Sequence, residues 1–267
     1  MNETTIKTKH PRAESLSIRK RLIQHYKSGI VADAGLFAHG RGEAFDYLLG
    51  EKTGDNALKA IKAAAAMLLN AEHPVISVNG NAAALVGKDI VELAQVTKSK
   101  IEVNLFYRST KREIAIETLL SEAGAGKVLG VGKAASGRIH EIGSERRRVD
   151  PEGILVADVV MVPLEDGDRT EALAKMKKNV IAVDLNPLSR TAQFATVTIV
   201  DNIVRAMPAL VRIAQKLKNE DRSRLQAIIA DFSNKESLSE AIRLINRRLS
   251  QLAEKGTYLT PSQKGWT

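Results

Sequence analysis

Six short apolar segments, set apart by stretches with helical periodicity, limit what this 267-residue chain can fold into. They are Val75-Ile76-Ser77-Val78-Asn79 and residues 101–106, 128–131, 156–162, 180–184 and 197–199. A short strand that is apolar at nearly every position is buried on both faces, the mark of a parallel sheet covered by helices above and below. Helix-forming stretches at 80–98 and 111–123 supply crossovers of the kind parallel strands require. The expected class is therefore α/β, a three-layer α/β/α arrangement around a mostly parallel sheet.

Helices are expected to extend this core at both ends. Residues 12–28 carry Leu16, Ile18, Leu22, Ile23 and Tyr26 near helical spacing, with Pro11 where a helix tends to begin and Gly29 where one ends. A second short helix is expected at 31–38, and 57–71 is rich in the best helix formers. After Asp201 the pattern is helical at 203–218, 221–232 and 235–255, each stretch charged on one face and apolar on the other. The expected organisation is one α/β domain over 1–267. It comprises an N-terminal helical segment at 1–71, the α/β core at 72–202, C-terminal helices at 203–255 and a loose tail at 256–267.

Composition narrows the chemistry. There is no cysteine, which excludes disulfides, thiolate catalysis and cysteine-held zinc or iron–sulfur centres, and the five histidines show no metal-ligand spacing. The first ten residues are polar and charged, and no apolar run reaches the roughly 18 residues of a membrane span. A cytoplasmic protein with no membrane partner is expected. Lys and Arg total 40 against 31 Asp and Glu, and the resulting charge of +9 favours anionic partners. Aromatic residues make up only 4%, too few for the stacking platforms of single-strand nucleic-acid binders. Small phosphorylated ligands fit better than nucleic acid.

Ligands of an open parallel sheet bind at the carboxyl ends of its strands, and four polar clusters fall there. Asn79-Gly80-Asn81 follows the first strand and opens a helix, presenting backbone N–H groups and the positive end of the helix dipole to an anion. Residues 130–138 fail as a Walker loop, because Ala134 follows Gly132-Lys133 and Lys127 stands where a glycine is required. The same residues nearly match a dinucleotide fingerprint, but after a very short strand. Glycines beside Lys133, Ser136, Arg138 and His140 still suit a phosphate-binding loop. Glu145-Arg146-Arg147-Arg148 reads as a solvated face from which one arginine can point inward. Asp184-Leu185-Asn186-Pro187-Leu188-Ser189-Arg190-Thr191 ends another strand, and Asp201-Asn202 ends the next. Acid and amide groups in these two places suit a nucleotide, with Arg190 on phosphate; paired turns with helix caps are the alternative.

One further run carries unusual chemistry: His39-Gly40-Arg41-Gly42-Glu43-Ala44-Phe45-Asp46-Tyr47-Leu48-Leu49-Gly50-Glu51-Lys52-Thr53. Read as a loop, its glycines let the backbone beside Arg41 take positive φ and approach a ligand, while the guanidinium offers a planar fork to phosphate or carboxylate. A polar turn before the next helix is the other reading.

Together, His10-Pro11-Arg12 through Arg19, the whole 39–53 run, residues 132–148 and residues 184–191 resemble the archaeal phosphopantothenate synthetase family, the 4-phosphopantoate–β-alanine ligases. The similarity covers nearly the full chain, and the ten residues from His39 to Leu48 are the most specific part. The resemblance implies a Rossmann-like homodimer in coenzyme A biosynthesis that joins 4-phosphopantoate to β-alanine with ATP, releasing AMP and pyrophosphate. It also implies ATP contacts at Arg19, Arg41, Asp184, Leu185, Asn186, Arg190, Thr191, Asn202 and Ile203.

In such a reaction the acid's carboxylate attacks the α-phosphate of ATP, and β-alanine opens the acyl-adenylate. An anion meeting a polyanion needs positive charge, expected from Arg19, Arg41 and Arg190 and from Mg2+ bound mainly through substrate phosphates, with no dedicated protein metal site. The catalytic candidates are Arg41, Lys133, and His39 or His140 as proton acceptor. The acid's phosphate is expected on Asn79, Gly80, Asn81, Ser136 and Arg138. Two other classes compete. A nicotinamide-dependent oxidoreductase requires a long strand before Gly130 and an acid ending the next one. A basic nucleic-acid-binding protein requires affinity that falls steeply with salt.

Overall fold

In the computed structural model, which describes residues 12–256, six strands pair in parallel as one sheet. They are β1 (Pro74–Val78), β2 (Lys100–Val103), β3 (Val128–Leu129), β6 (Val159–Pro163), β7 (Asn179–Val183) and β8 (Val197–Ile199). A two-stranded antiparallel hairpin, β4 (Gly137–Arg138) with β5 (Arg148–Val149), lies between β3 and β6 in the chain and outside the sheet. The sheet order is β3-β2-β1-β6-β7-β8. The chain runs outward from β1 to β3, returns past β1 and continues outward through β6 to β8. The direction of winding therefore reverses between β1 and β6, where the crossovers diverge and leave a crevice at the strands' carboxyl ends.

Side-chain alternation divides the core into two layers. On β6 and β7, Val159, Met161, Ile181 and Val183 join one apolar cluster, and Val160, Val162, Val180 and Ala182 join another. The first cluster takes in α1 (Ala13–Lys27), α3 (Asp55–Asn70), α4 (Gly80–Thr97), α5 (Thr110–Glu122) and α8 (Ile203–Leu217). The second takes in α6 (Gly167–Lys175) and apolar residues flanking the hairpin, Ile139, Ile142 and Ile154. A strand buried on both faces cannot show a polar side, which is why these strands read as continuous apolar runs. The three-layer α/β expectation matches this architecture. Alanines at 60, 63, 64, 65 and 66 are almost fully buried on α3, and their small side chains let helices and sheet approach closely. Beyond α8, α9 (Arg222–Ala230) and α10 (Asn234–Lys255) close the chain, with α10 packing on α3 and on α2 (Asp33–Leu49). The short α7 (Arg190–Phe194) links β7 to β8.

The structure corrects one local expectation. The 39–53 run is not a loop: α2 continues unbroken from Asp33 through Gly40 and Gly42 to Leu49. Positive φ occurs only after it, at Gly50 (φ 90°), the left-handed cap, and at Glu51 (φ 54°). Ala, Leu and Glu around the two glycines are strong helix formers and outweigh a cost of about 1 kcal/mol per glycine. The short helix expected at 31–38 is the first half of α2. Pro11, proposed as a helix start, and the tail at 257–267 lie outside the described residues.

The hairpin is fastened to the sheet by a buried acid. Glu102 on β2 accepts the N–H of Asp150 at 3.0 Å and of Ile154 at 2.6 Å. Burial pushes its carboxyl up from 4.5 to about 7, against the pull of these two donors.

Candidate functional site

The first elements of the site are the ends of β1 and β6. Asn79 follows β1, and its side-chain amide donates to the carbonyls of Pro163 (2.9 Å) and Leu164 (3.0 Å) at the end of β6. Its carbonyl oxygen caps α4 by accepting from Ala82 N at 3.0 Å. One side chain thus pins the two diverging strands together and starts the helix. Asn81 reaches across to the carbonyl of Gly35 on α2 at 2.8 Å, and a Cβ on Gly35 would overlap its amide oxygen. A side chain at Gly35 would displace the Asn81 amide that ties α2 to the N-terminus of α4. A cavity of about 590 Å3 opens at this point, above the switch between β1 and β6.

The 39–53 run divides between two faces of α2. His39, Arg41, Gly42 and Glu43 line the cavity. Arg41 has no hydrogen bond or ion pair among the described residues, although its charge acts on Asp184. The Nε2 of His39 is buried without a hydrogen-bond partner among the described residues, and burial lowers the imidazole pKa despite the nearby Glu43. Glu43, at the boundary, and Asp46 turn into the protein. Glu43 accepts from Arg19 of α1 at 2.5 Å and from the Tyr47 hydroxyl at 3.3 Å. Asp46 binds Arg205 of α8 at 2.5 Å and the Asn202 amide at 2.8 Å. Arg205 also binds Asp201 (2.7 Å), which accepts from the Thr53 hydroxyl at 2.7 Å. These acids clamp α1, α2 and α8 together.

The opposite wall is built by β2, β6 and the segment leading into β5. Arg146 is buried and meets Glu165 at 3.0 Å and Asp166 at 2.8 Å. Burial works to raise the Glu165 pKa, but Arg146 and the fully buried Arg169 hold it below the ordinary carboxylate value. Asp166 caps α6 and is shifted the other way, upward, by burial and by Glu165. Arg112 on α5 also faces the cavity, donating to the carbonyls of Ile30 (2.9 Å) and Tyr107. Phe106 and Tyr107, with ring centroids 4.9 Å apart, stand at the edge.

Of the residues singled out from the sequence, His39, Arg41, Asn79, Gly80, Asn81, Leu185, Asn202 and Ile203 line this one cavity. Asp184 and Asn186 shape the turn behind Leu185: Asp184 accepts from Asn186 N (2.9 Å) and Ser189 Oγ (2.5 Å), and burial raises its pKa. Arg19 stands behind Glu43, and Thr191 donates to Glu165 O at 3.0 Å. Arg190 points to solvent between Asp168 (2.5 Å) and Glu171 (2.6 Å).

Lys133, Ser136, Arg138 and His140 do not join the cavity. They are exposed on a 3-10 turn (Gly132–Ala134) and along the hairpin, which carries its polar side chains away from the sheet. The structure does not bring the residues of the expected phosphate loop to this cavity. β3, two residues long at the sheet edge, also provides no long strand for a dinucleotide fingerprint. Arg112, Glu165 and Asp166 were missed. The polar pair that follows Pro163-Leu164 after the strand at 156–162 was the available signal, whereas Arg112 sits inside a helix and has none. Arg146 is the member of the basic run that turns inward.

Comparison with known proteins places this geometry in context. The family model for phosphopantothenate/pantothenate synthetase matches residues 56–248. A protein of Thermococcus kodakarensis named 4-phosphopantoate–beta-alanine ligase is 51% identical over 250 residues, covering 93% of this chain and 95% of that one. A ligase of the same name from Methanosarcina mazei is 49% identical over 255 residues, covering 96% of this chain and all of its own. One from Methanospirillum hungatei is 47% identical over 240 residues, covering 90% of this chain and 96% of its own.

Proposed function

The chain belongs to the phosphopantothenate/pantothenate synthetase family, and from that premise we propose how its cavity joins 4-phosphopantoate to β-alanine in coenzyme A biosynthesis. ATP lies along the wall formed by α2 and the ends of β7 and β8. Arg41, Leu185, Asn202 and Ile203 touch it, and the Asp184–Asn186 turn, Thr191, Arg19 and Arg190 contribute from its margins. The observation that carries this reading is Arg41, a guanidinium on the cavity wall without an acid partner among the described residues.

The chemistry then runs in two steps. An oxygen of the acid's carboxylate bonds to the α-phosphorus of ATP as the bond to pyrophosphate breaks, giving an acyl-adenylate. The ammonium of β-alanine loses a proton, the free amine attacks the acyl carbon, and the nitrogen loses a second proton as AMP departs with the bonding electrons. Arg41 offsets the charge built up in the first step. His39, neutral because burial lowers its pKa and unpartnered at Nε2 among the described residues, accepts a proton in the second. The acids on the cavity wall fit a metal poorly on their own, since Glu43 is held by Arg19, and Glu165 and Asp166 by Arg146. Mg2+ would accordingly be bound through the ATP phosphates and water, where it would offset charge.

The test is product analysis with the carboxylate of 4-phosphopantoate labelled with 18O. AMP carrying one 18O and unlabelled pyrophosphate are expected. ADP with 18O in inorganic phosphate would mean an acyl-phosphate and overturn the two steps above. We also propose a cytoplasmic homodimer; Phe37 of α2, 79% exposed, offers apolar surface for the subunit contact. A sedimentation mass of one chain would overturn the dimer.

A further inference from the structure

We propose that Arg112 recognises the phosphate of the acid substrate and thereby makes the enzyme select phosphorylated over free pantoate. The inference deepens the reading above and rests on ATP occupying the α2 wall. The guanidinium of Arg112 is half-buried, yet its two protein contacts are backbone carbonyls, of Ile30 and Tyr107. Among the described residues it has no carboxylate partner, unlike Arg146, which faces both Glu165 and Asp166. Burial and the repulsion of Arg146 both lower its pKa, so the site taxes the charge without compensating it. A cation held this way at a cavity wall suits an anionic ligand.

Its position indicates which anion. Arg112 lies against the first residue of α4, where a Cβ on Gly80 would come within 3.0 Å of its Nη2. Guanidinium and helix N-terminus therefore face the same space, a combination suited to a phosphate dianion. Arg41 and Leu185 stand on another wall of that cavity. The acid must place its carboxylate beside ATP, so its phosphate, three carbons away, points to the wall opposite. Between the two ends, Leu85, Leu105 and Phe106 offer apolar surface to the paired methyl groups of pantoate. The carboxylate of β-alanine is a poorer fit, because its ammonium must sit within reach of the acyl carbon, on the ATP side.

The test compares wild type with R112A and R112K, varying each substrate in turn and using free pantoate as a second acid. R112A should raise KM for 4-phosphopantoate about 10- to 100-fold, the range of a charged hydrogen bond, with KM for ATP and β-alanine within about threefold. The ratio of kcat/KM for 4-phosphopantoate to that for free pantoate should fall about 10- to 100-fold, so the preference for the phosphorylated acid collapses, and R112K should recover part of it. A rise confined to β-alanine, or a preference that survives R112A, overturns the proposal. A rise confined to ATP instead overturns the orientation on which it rests. Because Arg112 also holds the Ile30 carbonyl, wild-type enzyme gives a check independent of folding. Phenylglyoxal labelling of Arg112, mapped by mass spectrometry, should be blocked by 4-phosphopantoate and not by β-alanine; equal labelling with and without 4-phosphopantoate overturns the assignment.

Discussion

On the inward face of α2, Asp46 meets Arg205, which in turn meets Asp201; on the cavity face, Arg41 makes no ion pair or hydrogen bond among the described residues, although its charge acts on Asp184. The residue types are alike, and both clusters lie within two turns of one helix. What separates them is whether the charge is already answered. An arginine between two buried carboxylates spends its hydrogen-bonding capacity on the fold, while one left open on a concave wall is available to a ligand. Arg112 belongs with Arg41 by this criterion, and Arg146 with Arg205.

The comparison breaks most visibly at Arg205. R205A leaves Asp46 and Asp201, both nearly fully buried, without their shared counter-ion, and should lower stability by about 3–5 kcal/mol. Urea denaturation measures this; a loss below about 1 kcal/mol would place the clamp among surface pairs of little consequence. R41A should do the reverse. Stability should stay within about 0.5 kcal/mol of wild type, while kcat/KM falls on the order of 100-fold, or 2.7 kcal/mol in the transition state. Steady-state kinetics beside the same urea titration reads both numbers.

Glu102 is a third kind of charged group, a buried carboxyl answered by two backbone N–H donors, with Arg169 acting on it through its charge but no ion pair among the described residues. Its folded pKa, about 7, lies above the ordinary 4.5, so the folded state holds the proton more tightly. The stability it contributes is fully present below 4.5 and is lost as pH rises through 7. Gln at this position does not titrate. The stability of wild type minus that of E102Q should therefore shrink from pH 5 to pH 8, on the order of 2 kcal/mol. A difference that is flat or grows would mean that the N–H pair holds the charged form throughout.

The sequence carries the sheet well and the site unevenly, for one physical reason. Burial on both faces leaves a contiguous apolar run, visible without any partner, so all six strands were legible. A charge is assigned to fold or to ligand only by what stands across from it in space. Glu43 and Asp46 are answered by Arg19 and Arg205, 24 and 159 positions away, and no spacing rule connects them. The glycines at 40 and 42 misled in the same way, because a glycine inside a helix and one in a loop look alike until helix propensity is summed over the neighbours. Strand ends were the useful exception. Asn79 and Leu185 sit where topology alone sends a ligand, whereas Arg112 reaches the cavity from the side of a helix.

Arg190 sharpens the comparison with the smallest expected effect. It is exposed and lies between Asp168 and Glu171, so by pairing alone it belongs to the fold. Arg190 is open to water, however, and an exposed ion pair is weak enough for nucleotide phosphates to displace. R190A should accordingly leave stability close to that of wild type. If Arg190 turns to ATP, the variant should also raise KM for ATP by about 5- to 10-fold, with β-alanine unaffected. The partner test separates the possibilities: D168N with E171Q frees the guanidinium, and KM for ATP should then fall below the wild-type value. An unchanged KM in both variants would leave Arg190 a surface pair and confine the ATP contacts to residues on the cavity wall and its adjoining turn.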